Sequence, residues 1–113
     1  MLARTATSVV TGGMRAARHT IPWHRMFVTG YTDRGLTATG TPARWGVVAV
    51  DPRVIPLGAW VRVAGYATVF RAEDTGGLIV GRRLDIWFPT AAQCYAATSW
   101  RGVRWSRRRA DLD

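Results

Sequence analysis

Asp74 and Asp85 stand eleven residues apart in AEDTGGLIVGRRLDIW (residues 72–87), with Gly76, Gly77 and Gly81 between them. Carboxylates are scarce in this chain, which carries seven acidic residues against sixteen arginines and no lysine. Two of the seven around one glycine-rich turn suit proton donation and acceptance at a shared centre. The competing reading is local, because an Asp before Thr-Gly closes a turn by accepting backbone N–H bonds two residues on. Asp74 fits both readings. Asp51, which precedes Pro52, reads first as turn chemistry. Asp85 has no turn to make and no helix to cap, so a functional role is favoured there unless it pairs with Arg83.

The strands that carry these groups decide where they point. In VFRAED (69–74), alternation puts Phe70, Ala72 and Asp74 on one face and Val69, Arg71 and Glu73 on the other. It predicts that Asp74 ends its strand on the apolar side, where an unpaired carboxylate is costly. In RRLDIWF (82–88), Leu84, Ile86 and Phe88 share the core face, and Arg83, Asp85 and Trp87 share the opposite one. Asp85 is then placed beside an indole that can stack on a ligand.

MFVTGY (26–31), WGVVAV (45–50), AWVRVAG (59–65) and ATVFRAE (67–73) read as further strands, separated by segments dense in Gly, Pro, Asp and Thr. PTAAQCYAATSW (89–100) reads as the one helix, with Thr90 and Gln93 as a capping box and four alanines supplying propensity. RWSRRRADLD reads as a frayed charged tail. Short strands, one helix and tight turns predict a mainly β, small closed barrel. The expected division is a basic arm over 1–26, the barrel over 27–106 and a tail over 107–113.

The whole chain sets further bounds. At 113 residues and 48% hydrophobic content it fits one domain with its own core. Its single cysteine, Cys94, excludes an internal disulfide framework and a cysteine-based metal cluster, and reads as a small apolar residue on a helix. With His19 and His24 as the only histidines, no metal and no cofactor are expected. The net charge of +9 favours an anionic partner: nucleic acid, an acidic membrane face, or a wall polymer carrying carboxylates and phosphates. The arginines are scattered through turns rather than arrayed on one helix, which argues against specific nucleic-acid recognition. No run reaches the ~18 apolar residues of a membrane span. The opening segment makes a poor secretory signal because Thr11, Gly12 and Gly13 break its apolar stretch.

An ordered series of short motifs carries a resemblance: T-A-x-G at Thr37 to Gly40, A-V-D-P at Ala49 to Pro52, I-P-L-G at Ile55 to Gly58, D-T-G-G at Asp74 to Gly77, and Asp85. Together they resemble the three-aspartate (3D) domain, found in lytic transglycosylases of the MltA type and in stationary-phase wall hydrolases of Gram-positive bacteria. The resemblance covers roughly residues 28 to 105. It implies a six-stranded double-psi β-barrel with one or two short helices, and a cleft lined by Asp51, Asp74 and Asp85. It implies too that Asp85 is the catalytic acid, supported by Asp74. Two positions depart from the pattern. Val80 stands where the family often has lysine, and SWRGVRW replaces the usual aromatic-Gly-Arg order.

The implied substrate is peptidoglycan, and the implied reaction releases a 1,6-anhydro product without water. A single carboxyl serves twice, protonating the glycosidic oxygen and then accepting the C6 hydroxyl proton. Asp85 needs a pKa above the usual ~3.9 for this. Asp74 and the Trp87 indole push it up, and Arg83 pulls it down. Tyr31, Trp45 and Trp87 are expected either to stack on sugars or to fill the core. Thr37 and Thr75 either bind substrate or close turns, and Gly76 and Gly77 let the backbone approach the sugar. The rival reading is a glycan-binding or wall-loosening barrel without bond cleavage. Either way an extracytoplasmic monomer at the cell wall or in the periplasm is expected, reached by phage delivery or with a truncated start if no leader is present.

Overall fold

Alternating apolar residues from every strand meet at one centre. Met26, Val28, Val48, Val50, Val61, Val63, Phe70, Ala72, Leu84, Ile86 and Val103 are all buried in a single cluster. The computed structural model describes residues 21–113. Around this core run β1 (His24–Tyr31), β2 (Val47–Val50), β3 (Trp60–Val63), β4 (Val69–Asp74), β5 (Arg83–Trp87) and β6 (Ser99–Ser106). Helix α1 (Ala91–Ala97) joins β5 to β6, and a 3-10 turn covers Arg109–Leu112. The strands close in the order β1-β5-β2-β4-β3-β6. β1 runs parallel to β5 and β2 parallel to β4, and the remaining neighbours are antiparallel. The result is a mainly β closed barrel, as the strand pattern predicted, in the six-stranded double-psi form with one short helix that the resemblance implied.

Three boundaries differ from the expectation. β1 begins at His24, inside the segment assigned to the basic arm; residues 1–20 of that arm lie outside the described residues. α1 stops at Ala97 because Thr98 turns extended, and the chain continues directly as β6. The sequence hid β6 because Val103 is its only fully buried side chain. Pairing with β1 on one side and β3 on the other makes it a strand. The segment 107–113 is not frayed, since Leu112 is fully buried and its carbonyl accepts from Arg62 Nε at 3.3 Å. One leucine among charges is enough to seat the last turn on β3 and β6.

α1 is capped by Thr90, whose side chain accepts from the Gln93 backbone N–H. It approaches β1 closely because position 30 is glycine: a Cβ there would come within 2.7 Å of the Cys94 backbone and 2.8 Å of Phe88. Cys94 accordingly packs against the core as a partly buried apolar group, as the sequence suggested.

Candidate functional site

The outer face of the barrel, not its interior, carries Asp74 and Asp85. Asp85 lies between the core residues Leu84 and Ile86 on β5 and so faces outward. In the register, Thr29 of β1 stands beside it on one side and Ala49 of β2 on the other. Thr29 Oγ1 donates to Asp85 Oδ1 at 2.7 Å. Tyr31 follows two residues along the same face, beside Trp87.

Asp74 reaches this face through an irregularity. Val47 pairs with Arg71 and Val48 with Ala72, but Ala49 pairs with Asp74, so the register shifts by one residue. Glu73 is the extra residue of a β-bulge. Simple alternation from Phe70 and Ala72 predicts that Asp74 points to the apolar side, and the structure differs. The bulge turns it outward, and Asp74 and Asp85 then flank Ala49 from either side. Two strand spacings, about 10 Å, separate their backbones. The small Ala49 side chain floors the space between them.

Asp74 is half-buried and its oxygens are committed. Oδ1 accepts from the backbone N–H groups of Ala38 and Thr75, each at 2.9 Å, and Oδ2 accepts from the Tyr31 hydroxyl at 3.0 Å. Burial and then the Asp74 charge push the Tyr31 hydroxyl far above its ordinary range, so it stays a donor. Asp85 differs, because among the described residues only Thr29 donates to it. Burial pushes its pKa up; the Thr29 hydrogen bond and the Arg83 charge pull it back, and Asp33 and Asp74 add to the rise. A half-buried carboxyl with one committed oxygen and a raised pKa is suited to hold and release a proton.

Other residues singled out in the sequence have structural duties. Asp51 is buried, and Arg53 holds both its oxygens, with Nε at 3.0 Å and Nη2 at 2.8 Å. The Gly81 N–H adds a bond at 2.8 Å from a backbone at φ 68°, a conformation that favours glycine. The Arg53 side chain, then the Gly81 and Arg53 backbone N–H groups, hold Asp51 well below the usual carboxylate range. It is a clasp between two loops, and its lone pairs face those loops.

Trp87 is not a free platform for a sugar. It is 7% exposed and its Nε1–H donates to the Asp33 carbonyl at 2.8 Å, so it anchors the loop after β1. Thr37 is likewise buried; its hydroxyl is shared with those of Thr39 and Thr41 at 3.1 and 2.8 Å, which knots the following loop. Trp45 is 44% exposed, with its ring 5.4 Å from Phe70 and 5.5 Å from Phe88. Thr75, Gly76 and Gly77 form an exposed rim beside Asp74.

The sequence reading missed Thr29 and Asp33. Thr29 shares the outward parity of Phe27 and Tyr31, but only the parallel pairing of β1 with β5 brings it to Asp85. No described cluster of His, Cys, Asp or Glu is arranged to hold a metal ion. A cavity of about 200 Å³, lined by His24, Met26, Val54, Arg82 and Trp105, includes none of the aspartates.

Comparison with known proteins follows the same residues. The 3D domain matches residues 46–101, from the start of β2 into β6, and so contains Asp51, Asp74 and Asp85. The putative cell wall shaping protein YabE of Bacillus subtilis is 42% identical over 67 residues, covering 59% of this chain and 16% of YabE. The cell wall-binding protein YocH of the same organism is 43% identical over 74 residues, covering 62% of this chain and 24% of YocH. The chain thus spans a quarter or less of the curated relatives it matches. Among solved structures, the Streptomyces papain inhibitor (SPI) superposes with a TM-score of 0.54 over 78% of this chain and all of SPI. At 22% identity that likeness concerns the fold alone.

Proposed function

Since the chain belongs to the 3D domain family, we propose that it acts on the bacterial cell wall, binding peptidoglycan glycan strands across the outer face of β1, β5, β2 and β4. In the finer reading it cleaves the bond between N-acetylmuramic acid and N-acetylglucosamine. The supporting observation is the placement of Asp85: outward, half-buried, held by Thr29 on one oxygen and flanked by Asp74. Asp85 gives its proton to the glycosidic oxygen as the bond to the anomeric carbon breaks. It then takes the proton of the muramic C6 hydroxyl as that oxygen closes the 1,6-anhydro ring, so no water is consumed. Asp74 does not act as a second acid; with three donors on its oxygens, it holds the Tyr31 hydroxyl and the loop at Ala38 against the site. Such a role places the protein outside the cytoplasm, at the wall.

A second reading is binding without cleavage. YocH is named as a cell wall-binding protein and YabE as a putative cell wall shaping protein, and neither name specifies a lytic reaction. One experiment separates the two. Purified protein is incubated with peptidoglycan and the soluble products are weighed by mass spectrometry. Anhydro-muropeptides that vanish with Asp85→Asn support cleavage by Asp85. Retention on the polymer with no product leaves the binding reading standing alone.

A further inference from the structure

The outer face of β1 does not end at the carboxylates. Behind Thr29 it continues through Phe27, Arg25 and then Trp23, just before the strand. β6 lies antiparallel beside it, with Trp100 opposite Phe27 and Gly102 opposite Arg25. Trp23 and Trp100 are 50% and 54% exposed, which leaves two large apolar rings on one sheet face. Each carries a cation: Arg104 lies 4.6 Å over Trp23 and Arg25 lies 5.3 Å over Trp100. Such pairs hold both the indole and the guanidinium in place.

Gly102 makes this arrangement possible. A Cβ there would come within 3.1 Å of the Trp23 ring, and Gly102 is not among the glycines with positive φ. Its contribution is space, which lets the indole lie on the sheet. Charge on the face is of one sign. All seven acidic residues lie within the described chain, and none belongs to β1 or β6. The acids that form ion pairs, Asp51, Glu73 and Asp111, take Arg53, Arg44 and Arg108. Among the described residues Arg25 and Arg104 have no carboxylate partner, and Arg104 Nε is buried without an acceptor.

Resting on the reading of the carboxylate face as a glycan site, we propose that the β1–β6 face is an extended subsite for glycan strands that still carry acidic stem peptides. Neutral sugar rings pass over Asp74 and Asp85, and peptide carboxylates are held by Arg25 and Arg104 between the two indoles. The track from Trp23 to Tyr31 spans eight residues, about 26 Å at ~3.3 Å each, room for several sugars. The same continuity argues against a nucleic acid. An unbroken row of phosphates running along β1 would be driven onto Asp74, Asp85 and the exposed Asp33, whereas a polymer with neutral rings and separate carboxylates matches the change of sign.

The test is retention of the full chain on two polymers coupled covalently to beads, at low salt and at about 0.5 M, where exposed charges are largely screened. One polymer is uncross-linked peptidoglycan strands with their peptides; the other is the same glycan after an amidase has removed them. Arg25→Gln/Arg104→Gln is compared with wild type, its folding checked by its unfolding midpoint. Wild type should prefer the peptide-bearing polymer by about tenfold at low salt and lose that preference at high salt. The double variant should bind both at the stripped-glycan level. Equal wild-type binding to both polymers, or a preference that survives the double substitution, overturns the subsite while leaving the glycan reading intact. Binding to neither polymer overturns both. A DNA duplex that displaces wild type from peptidoglycan, and whose own binding the double variant loses, assigns the face to nucleic acid and overturns the proposal.

Discussion

Replacing Asp74 should reveal how much its three hydrogen bonds contribute to stability. Three donors converge on it: the Ala38 and Thr75 N–H groups on Oδ1 and the Tyr31 hydroxyl on Oδ2. Asp74→Asn preserves all three contacts, since the amide oxygen can accept from both backbone groups and the amide N–H₂ can donate to the Tyr31 oxygen. Asp74→Ala leaves three partly buried donors without an acceptor, at a cost of about 1–3 kcal/mol. The upper end of that range is capped, because the loop has other ties: Thr39 N–H donates to the Glu73 carbonyl at 3.1 Å, and Arg44 reaches Glu73 at 3.0 Å. For a barrel of this size the loss corresponds to a fall of roughly 5–20 °C in Tm. The assay is thermal and denaturant unfolding of both variants and of Tyr31→Phe alone and combined. Tyr31→Phe should couple to Asp74→Ala, because each removes the same bond. An alanine variant as stable as wild type, or an asparagine variant as unstable as the alanine one, refutes the three-donor account.

Three further outcomes follow from the other carboxylates and the last turn. Asp85→Asn should abolish product release and spare wall binding. Because burial raises the folded-state pKa of Asp85, its contribution to stability is fullest below the unfolded value near ~3.9 and declines as pH rises through the folded value. The variant should therefore gain on wild type across that window when unfolding is followed against pH; a gap that does not change with pH contradicts the assignment. Asp51→Asn should behave in the opposite sense. Its depressed pKa stabilises the fold above the unfolded value and that stability is lost as pH falls through the folded value, so the variant should be weaker at neutral pH and converge on wild type in acid. Leu112→Ala should cost about 2–5 kcal/mol if the final turn is seated as described, and an unchanged unfolding midpoint would mean that it is not.

Much of the barrel was legible because alternation reports which side chains face inward, whatever the topology. Phe70, Ala72, Leu84 and Ile86 were placed correctly on that rule, and with them the outward position of Asp85. The ordered motifs around Asp51, Asp74 and Asp85 pointed to the family, since turn chemistry and spacing are local properties of a chain. What alternation could not supply was a break in its own rule. The bulge at Glu73 is set by how β4 pairs with β2, and pairing between strands more than twenty residues apart leaves no local mark. The same reason hid Thr29, which meets Asp85 only across a parallel pair, and β6, whose outward Trp and Arg residues resemble a tail until two neighbours hydrogen-bond to it. Trp87 shows the limit from the other direction: its outward parity was right, yet the loop at Asp33 folds over it and buries it. Sequence thus determined which residues could do chemistry and which face of a strand they take. Tertiary structure decided which of them meet, because burial, raised pKa and shared hydrogen bonds all depend on neighbours that only closure of the barrel brings together.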